Sequence, residues 1–360
     1  MRRLDEGKGY CSMVLRIDIK WPEVDNGAIN RPSRVVLKLP TVAKIQNEMD
    51  RAMESEQANR MVHQMTRMLM EGHNTECDIY DYLSAVRRLI KVAAPSIYGS
   101  KKQTESVNGF LLMEDWSGLG KLPDFKNGMS LQQCYQVMEI IASVQIAGML
   151  DDSWRDVVQI PAREFVQDAS RMIDRHWEIM KTEYANDYTL TREEVEKLNE
   201  PAAVNAVREP TEDEFSVLVH GDLWANNIMV KTDKNGKATN DLLGFLDWQV
   251  AHRGRPTEDI GRFLVASVSH ELRRAHTQDL LLRYHQTLTT LAAKHKLLLD
   301  LTFEDIQKDY DLSLRFGAFF FNMYVPMAVT GDYKNEPIEI RQGLVQRAVA
   351  GVEDALQKIK

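Results

Sequence analysis

Cysteine is scarce in this sequence of 360 residues, which has only Cys11, Cys77 and Cys134, with no two of them forming a CxxC pair. A disulfide framework or a zinc knuckle needs more cysteines at closer spacing. The first residues are polar and lack the apolar core of a signal peptide. We therefore expect reduced thiols and a cytoplasmic location.

Positive charge is in deficit, because 45 lysines and arginines face 53 aspartates and glutamates, for a net charge of −8. A polyanion-binding protein carries the opposite balance, so nucleic acid is not expected as a partner. Long apolar runs are also scarce: the most membrane-like stretch, residues 316–329, is too short to span a bilayer and contains Asn322 and Pro326. We expect it to be a buried helix or strand, without membrane insertion.

Hydrophobic periodicity divides the chain into a small β-rich part and a larger helical part. Apolar alternation and β-branched runs predict strands at residues 10–19, 34–39, 96–98 and 109–113. Apolar spacings of three and four, with a methionine stripe that includes Met68 and is interpreted as core, predict helices at residues 41–70 and 75–90. After residue 115 the pattern is mostly helical, interrupted by an inserted hairpin at residues 216–247. The pattern predicts an α+β fold.

The strongest chemical signal is the segment HGDLWANN, which follows a predicted strand and contains His220, Asp222 and Asn227. A second predicted strand ends at Asp247, twenty residues after Asn227. Phosphoryl transfer needs this layout, because one carboxylate orients the substrate hydroxyl while an Asn and a second carboxylate supply oxygen ligands to Mg²⁺. A His-Gly-Asp string alone is weak evidence, and the whole combination is far more specific.

These residues resemble the aminoglycoside phosphotransferase and choline kinase group of small-molecule kinases, and more closely its CHK (ecdysteroid-kinase-like) branch. The segments that carry the resemblance are HNTE at 73–76 with Tyr80, GFLLMED at 109–115, and HGDLWANNIMV. The resemblance implies a protein-kinase-like bilobal fold, with a small β-rich N-terminal lobe and a larger, mostly helical C-terminal lobe. Residues 1–115 would bind the nucleotide, without the family's usual first strand, and residues 116–360 would hold the catalytic and substrate-binding parts.

The resemblance also assigns the nucleotide site. It implies a glycine-rich phosphate loop with Gly7, Gly9 and Ser12, and a phosphate contact from Lys38. Glu76 is chosen as the partner of Lys38 over three glutamates nearer in sequence, Glu48, Glu54 and Glu56. The separation of 38 residues between the two implies an extra helix between them.

A hinge between the lobes is implied at Met113, Glu114 and Asp115, where backbone groups would address adenine. His220 is expected with Asp222 in the catalytic loop, in an orienting role. Asp259 lies at a predicted helix start, where it serves either as a cap or as a support for that loop.

The predicted function is ATP- and Mg²⁺-dependent transfer of the γ-phosphoryl group to a hydroxyl of a small metabolite. Aromatic residues of the helical lobe could cage a choline-like quaternary ammonium, with Asp151 or Asp152 adding charge, or receive a flat steroid-like alcohol. One alternative is a catalytically weak pseudokinase that binds nucleotide or a partner, which the short segment before the glycine loop favours. A metal-dependent hydrolase using His220, Asp222 and Asp247 is the third hypothesis.

Overall fold

The computed structural model describes residues 2–4, 12–22, 31–41, 55–156 and 173–358. The strands in this part of the chain are β1 (Arg2–Arg3), β2 (Ser12–Asp18), β3 (Arg34–Pro40), β4 (Ile97–Lys101), β5 (Phe110–Glu114), β6 (Gly120–Lys121), β7 (Val217–Val219), β8 (Ile228–Thr232), β9 (Ala238–Phe245) and β10 (His252–Gly254). The helices are α1 (Ser55–Val86), α2 (Leu131–Leu150), α3 (Ile173–Glu183), α4 (Arg192–Leu198), α5 (Pro201–Arg208), α6 (Glu258–Ser267), α7 (His270–Lys294), α8 (Phe303–Thr330) and α9 (Ile338–Lys358).

The N-terminal sheet is antiparallel, with the strand order β1-β2-β3-β5-β4. Its central strand β3 buries Val35 and Val36, as a β-branched run in the middle of a sheet should. Lys38 lies on the same strand, opposite Val14 of β2 and Leu111 of β5. The predicted strands are present in this sheet. The two-residue strands β1 and β6 were not predicted, because a run so short has no period.

Helix α1 corrects the prediction of two helices with a break between residues 70 and 75. It continues from Ser55 to Val86 without interruption, because no proline lies in that stretch and a single glycine is tolerated inside a helix. Its inner face buries Cys77, Tyr80 and Leu83. Met68 is 41% exposed, so the interpretation of that residue as core was wrong. Glu76 lies on this same helix, and the predicted extra helix between Lys38 and Glu76 would fall largely on residues 42–54, which lie outside the described residues.

The C-terminal region is built on helix pairs, in which α2 packs on α7 and α8 packs on both α6 and α9. Helix α8 begins after Thr302, whose side chain accepts a hydrogen bond from the backbone N–H of Asp305 in a capping box. It is long and apolar enough to cross a membrane by length and composition, but 72% of its most apolar window is buried inside the protein. The helix runs through Asn322 and Pro326, and the Asn322 side chain accepts a hydrogen bond from the Tyr188 hydroxyl. It is a core helix.

Two small sheets carry the motif-bearing segment. Strands β8 and β9 form the predicted hairpin, and β6 pairs with β8 on its other side. Strand β7 pairs instead with β10, which the sequence did not predict because it contains the charged and polar run His252–Gly254. The loop between β7 and β8 is therefore held between two sheets.

Helices α6 and α8 touch backbone to backbone at two glycines. A Cβ on Gly261 would lie 2.3 Å from the carbonyl oxygen of Ser313, and one on Gly317 would lie 2.2 Å from the carbonyl oxygen of Gly261. Real Cβ atoms do not approach that closely, so no side chain fits at either position without separating the helices. This contact sets the position of α6.

We expect Gly317→Ala to destabilise the fold by about 1–3 kcal/mol, because the methyl group would push α8 away from α6. Gly343→Ala is the matched control, since a Cβ there meets nothing within 4 Å. On α9 that change should be neutral or stabilising by about 0.5–1 kcal/mol, because alanine favours helix. Urea denaturation measures both, and equal effects at the two positions would contradict the packing argument.

Candidate active site

A buried carboxylate on α6 holds the loop that follows β7. Asp259 is 4% exposed, and its oxygens accept the backbone N–H groups of His220 at 2.7 Å and Gly221 at 2.9 Å. Burial raises the pKa of Asp259, while the two N–H donors favour its ionised form. Gly221 has φ +81°, and a Cβ there would lie 2.3 Å from the carbonyl oxygen of Val250, so this turn requires glycine. The structure thus assigns Asp259 the supporting position.

His220 connects this loop to the strand end that carries Asp247. Its Nε2 donates to the carbonyl oxygen of Leu246 at 2.8 Å, and its Nδ1 accepts the backbone N–H of Asp222 at 3.3 Å. The imidazole also packs against the Trp248 ring, with 4.6 Å between ring centroids. Both ring nitrogens are occupied, so the geometry suits a positioning residue rather than a proton carrier.

Asp222 and Asn227 face each other across the loop. The Asn227 Nδ2 donates to the backbone oxygen of Asp222 at 2.9 Å and to its Oδ2 at 3.3 Å. The backbone oxygen of Asn227 accepts the N–H of Leu246 at 2.8 Å, which brings Asn227 beside the residue that precedes Asp247. Among the described residues, the Asn227 side-chain oxygen has no hydrogen-bond donor and is available as a ligand.

Lys38 lies between two carboxylates from distant parts of the chain. Its Nζ is 2.7 and 2.8 Å from the two oxygens of Glu76 and 2.7 Å from Oδ1 of Asp247. Burial would lower the pKa of Lys38, but the two carboxylates outweigh burial and raise it above its ordinary value. Burial raises the pKa of Glu76, which is almost fully enclosed, and the Lys38 charge opposes that rise. The structure therefore brings Lys38, Glu76 and Asp247 together.

The backbone at Asp247 is unusual, with φ at 66°, in the left-handed region that non-glycine residues rarely adopt. Its N–H donates to the hydroxyl of Tyr80, which is buried on α1 one turn after Glu76. Residues four apart share a helix face, so α1 contacts Asp247 through both Tyr80 and the Glu76–Lys38 pair. Strained backbone of this kind clusters at functional sites.

The remaining predicted residues lie near this centre or outside the described residues. Ser12 lines a small cavity with Lys38 and Glu76. Gly7 and Gly9 lie outside the described residues. At the end of β5, beside β3, the side chains of Met113, Glu114 and Asp115 turn into the protein: Met113 is buried, Glu114 accepts the Ser96 N–H, and Asp115 accepts the Ser117 N–H.

Sequence reasoning missed Arg262. Its Nη2 and Nε lie 3.0 and 3.3 Å from Oδ1 of Asp222, and the residue is 5% exposed. The available signal was its position three residues after Asp259, which places both side chains on one face of α6. Gln249 was also missed, and it lines the small cavity beside Lys38.

The side-chain oxygens at this centre are of the type that binds hard cations. Within the described ranges, no three His, Cys, Asp or Glu side chains are grouped so as to hold a metal ion. Mg²⁺ is commonly held by one or two protein oxygens together with substrate phosphates and water. The free Asn227 oxygen and the part-exposed Asp247 carboxylate fit that pattern.

Solved structures of similar fold include a choline kinase and an aminoglycoside phosphotransferase. A choline kinase from Cryptosporidium parvum superposes with a TM-score of 0.51 at 12% identity, covering 99% of this chain and 88% of that one. A structure assigned to the aminoglycoside phosphotransferases, from Ralstonia eutropha, gives a TM-score of 0.50 at 14% identity, with coverage of 99% and 92%. These comparisons confirm the kinase-like fold that the resemblance implied, with its small sheet-rich and larger helical regions.

The chain belongs to the DUF1679 family, described as "Uncharacterized oxidoreductase dhs-27", whose model matches residues 1–357. A Caenorhabditis elegans protein of that same name is 23% identical over 314 residues, covering 84% of this chain and 36% of its own length. A second C. elegans protein, "Uncharacterized kinase-like protein D1044.1", is 25% identical over 263 residues, with coverage of 70% and 65%. The chain thus spans about a third of the first relative and just under two thirds of the second.

The strands of the described residues are not arranged as in a dinucleotide-binding fold. A dinucleotide-binding fold is built on parallel strands joined by helices, with a GxGxxG turn after the first strand. Every strand pair in the described ranges is antiparallel, and the sequence contains no GxGxxG. The described residues instead have the fold of the phosphotransferases.

We expect Asp259→Ala to destabilise the protein, because it leaves the His220 and Gly221 N–H groups buried without acceptors, each at a cost of about 1–3 kcal/mol. Asp241→Ala on the exposed surface of β9 is the matched loss of a carboxylate and should change stability by about 0.5 kcal/mol or less. Urea denaturation measures both variants. An Asp259 variant as stable as the control would rule out the supporting role.

His73 should make stability fall as the solution becomes acidic. Its Nε2 donates to the Lys101 carbonyl oxygen at 2.9 Å, and burial, aided by the charge of Lys38, lowers the pKa of His73. Below about pH 6.5 an unfolded histidine takes a proton. Folded His73 resists protonation, so the unfolded state binds more protons, and its free energy falls relative to that of the folded state.

We expect His73→Gln to reduce the loss of stability in acid. The urea midpoint of this variant should fall less than that of the parent between pH 7.5 and 5.5. Glutamine can still donate to the Lys101 carbonyl but does not titrate. His63→Gln, on an exposed position of the same helix, is the control and should keep the slope of the parent. Identical slopes for His73→Gln and the parent would refute the assignment.

Proposed function

We propose that this chain is an ATP- and Mg²⁺-dependent kinase that transfers the γ-phosphoryl group to a hydroxyl of a small molecule. The observation that carries the proposal is the position of Lys38, which contacts Glu76 and Asp247 at once. Asp247 is in turn adjacent to the loop of Asp222 and Asn227. Protein kinases require a strand lysine paired with a helix glutamate and a metal-binding aspartate beside it.

Lys38 would bind the nucleotide phosphates, held in place by Glu76 after Asp247 turns toward the metal. The Asn227 oxygen and the Asp247 carboxylate would hold Mg²⁺, which supplies charge neutralisation of the phosphates. Ser12 lies beside Lys38, and the backbone at Met113–Asp115 would address the adenine, since the side chains there are turned inward.

Asp222 would receive the acceptor hydroxyl. Its carboxylate is 31% exposed, with Oδ1 held by Arg262 and Oδ2 by the longer contact to Asn227. This arrangement sets the plane of the carboxylate and leaves acceptor capacity on Oδ2 for a hydroxyl. His220 would fix the position of the loop relative to Asp247, through its hydrogen bonds to the Leu246 carbonyl and the Asp222 N–H.

We assign a separate role to each region. Residues 1–115 would bind the nucleotide, and residues 116–360 would contribute the catalytic loop and bind the acceptor. A cytoplasmic location is part of the proposal. It is supported by the free buried thiols of Cys77 and Cys134, which suit a reducing compartment.

We expect the parent protein to bind Mg²⁺-ATP in calorimetry and Asp247→Asn to lose at least about tenfold in that affinity, because a metal ligand becomes neutral. Asp241→Asn, an exposed carboxylate on the same hairpin, should bind as the parent does. Asp222→Asn should keep nucleotide binding and lose about 100-fold or more in phosphoryl transfer. Transfer is followed by ³¹P NMR with a panel of alcohols.

Failure of the folded parent to bind Mg²⁺-ATP would overturn the proposal. Nucleotide binding without transfer to any alcohol, and without slow hydrolysis, would instead indicate the pseudokinase alternative. Equal affinities for Asp247→Asn and Asp241→Asn would remove Asp247 from the metal site.

A further inference from the structure

Arg262 places a positive charge inside the proposed acceptor site. It contacts the Asp222 carboxylate through Nη2 and Nε, and its own side chain is 6% exposed. Its third nitrogen, Nη1, is buried and has no hydrogen-bond partner among the described residues. A buried guanidinium with an unpaired N–H donor attracts oxygen atoms that can accept a hydrogen bond, whether they are neutral or negatively charged.

Two aromatic ring faces beside Arg262 are occupied by this same cation. The guanidinium carbon of Arg262 lies 5.3 Å from the ring centroids of both Trp224 and Phe320. Cation–π attraction needs an open ring face within about 6 Å of the cation. These two faces contribute to holding Arg262 and are not open to an ammonium group of a substrate.

The neighbouring aromatic rings also pack against other groups of the protein. Phe125, Trp224 and Tyr324 pack edge to face on one another, with centroid distances between 5.0 and 5.8 Å. A second buried cation, Arg347, lies 5.6 Å from the Phe125 ring. Asp151, a candidate counter-charge for an ammonium, instead accepts hydrogen bonds from the N–H and hydroxyl of Ser153.

We propose that Arg262 determines acceptor specificity by excluding alcohols with a positive charge close to the reacting hydroxyl. The inference rests on the proposed function, since it takes Asp222 as the group that receives the hydroxyl. A hydroxyl bound to Oδ2 of Asp222 has its near substituents within the electrostatic field of the guanidinium, whose Nη2 lies 3.0 Å from Oδ1 of the same carboxylate. A quaternary ammonium is repelled there, while an uncharged or anionic group is accepted.

The test uses two alcohols of equal shape. Choline and 3,3-dimethyl-1-butanol differ chiefly in the quaternary nitrogen of the first and the quaternary carbon of the second. Ligand-observed NMR measures the binding of each to the full chain, without ATP or Mg²⁺, and ³¹P NMR then measures transfer to each. In the parent, we expect the neutral alcohol to bind about tenfold or more tightly than choline, because a like charge at close range is costly.

Arg262→Met should remove that difference by admitting choline, while Arg262→Lys, which keeps the charge, should still reject it. Arg283→Met is the control for net charge, since it removes an arginine that is half exposed on α7. Thermal unfolding and Mg²⁺-ATP calorimetry on each variant establish that it is folded with an intact nucleotide site.

Choline binding by the parent as tight as that of the neutral alcohol would overturn the inference. So would an Arg262→Met variant that is folded and keeps the selectivity of the parent, or the absence of any difference between the two alcohols in every protein. Because the binding measurement needs no nucleotide, its result is independent of whether phosphoryl transfer is detected. A selective site without nucleotide binding would refute the kinase proposal and leave the selectivity of Arg262 established.

Discussion

The ammonium group of Lys38 is the interaction on which the rest of the site depends. It joins strand β3 to helix α1 and to the end of β9. Its partner Glu76 on α1 is 38 positions away in sequence, and its partner Asp247 after β9 is 209 positions away. A lysine buried to this degree is costly without counter-charges, and a buried glutamate without a cation is equally so. Each group is therefore stable there only when the other elements are in place, which couples the sheet-rich region to the strand end that carries Asp247.

The second support is mechanical and comes from the helical region. Two glycines let α6 and α8 touch through their backbones, and α6 in turn presents Asp259 to the loop and Arg262 to Asp222. Buried N–H groups need acceptors, so the Asp259 carboxylate fixes the loop through its two hydrogen bonds to the backbone of His220 and Gly221. The packing of a core helix thereby decides the orientation of a proposed catalytic carboxylate.

Local sequence signals were sufficient where one short segment forms the feature. The strand before His220 and the hairpin that leads to Asp247 both depend on neighbouring residues. The continuous helix α1 and the exposed Met68 were not foreseen, because periodicity marks an apolar face without showing what covers it. Strand β10 was missed for a related reason: its charged and polar residues are stabilised by pairing with β7, far earlier in the chain.

The sequence by itself determined the residue types of the proposed phosphoryl transfer and their order along the chain, since Asp222, Asn227 and Asp247 lie within one contiguous segment. It also pointed to Glu76 for Lys38, on the strength of a motif. Only the tertiary structure decided that Lys38 contacts both carboxylates and that Arg262 lies against Asp222 between two aromatic rings. The physical reason is that charges act through space: their distances depend on how separate helices and strands pack, which spacing along the chain does not record.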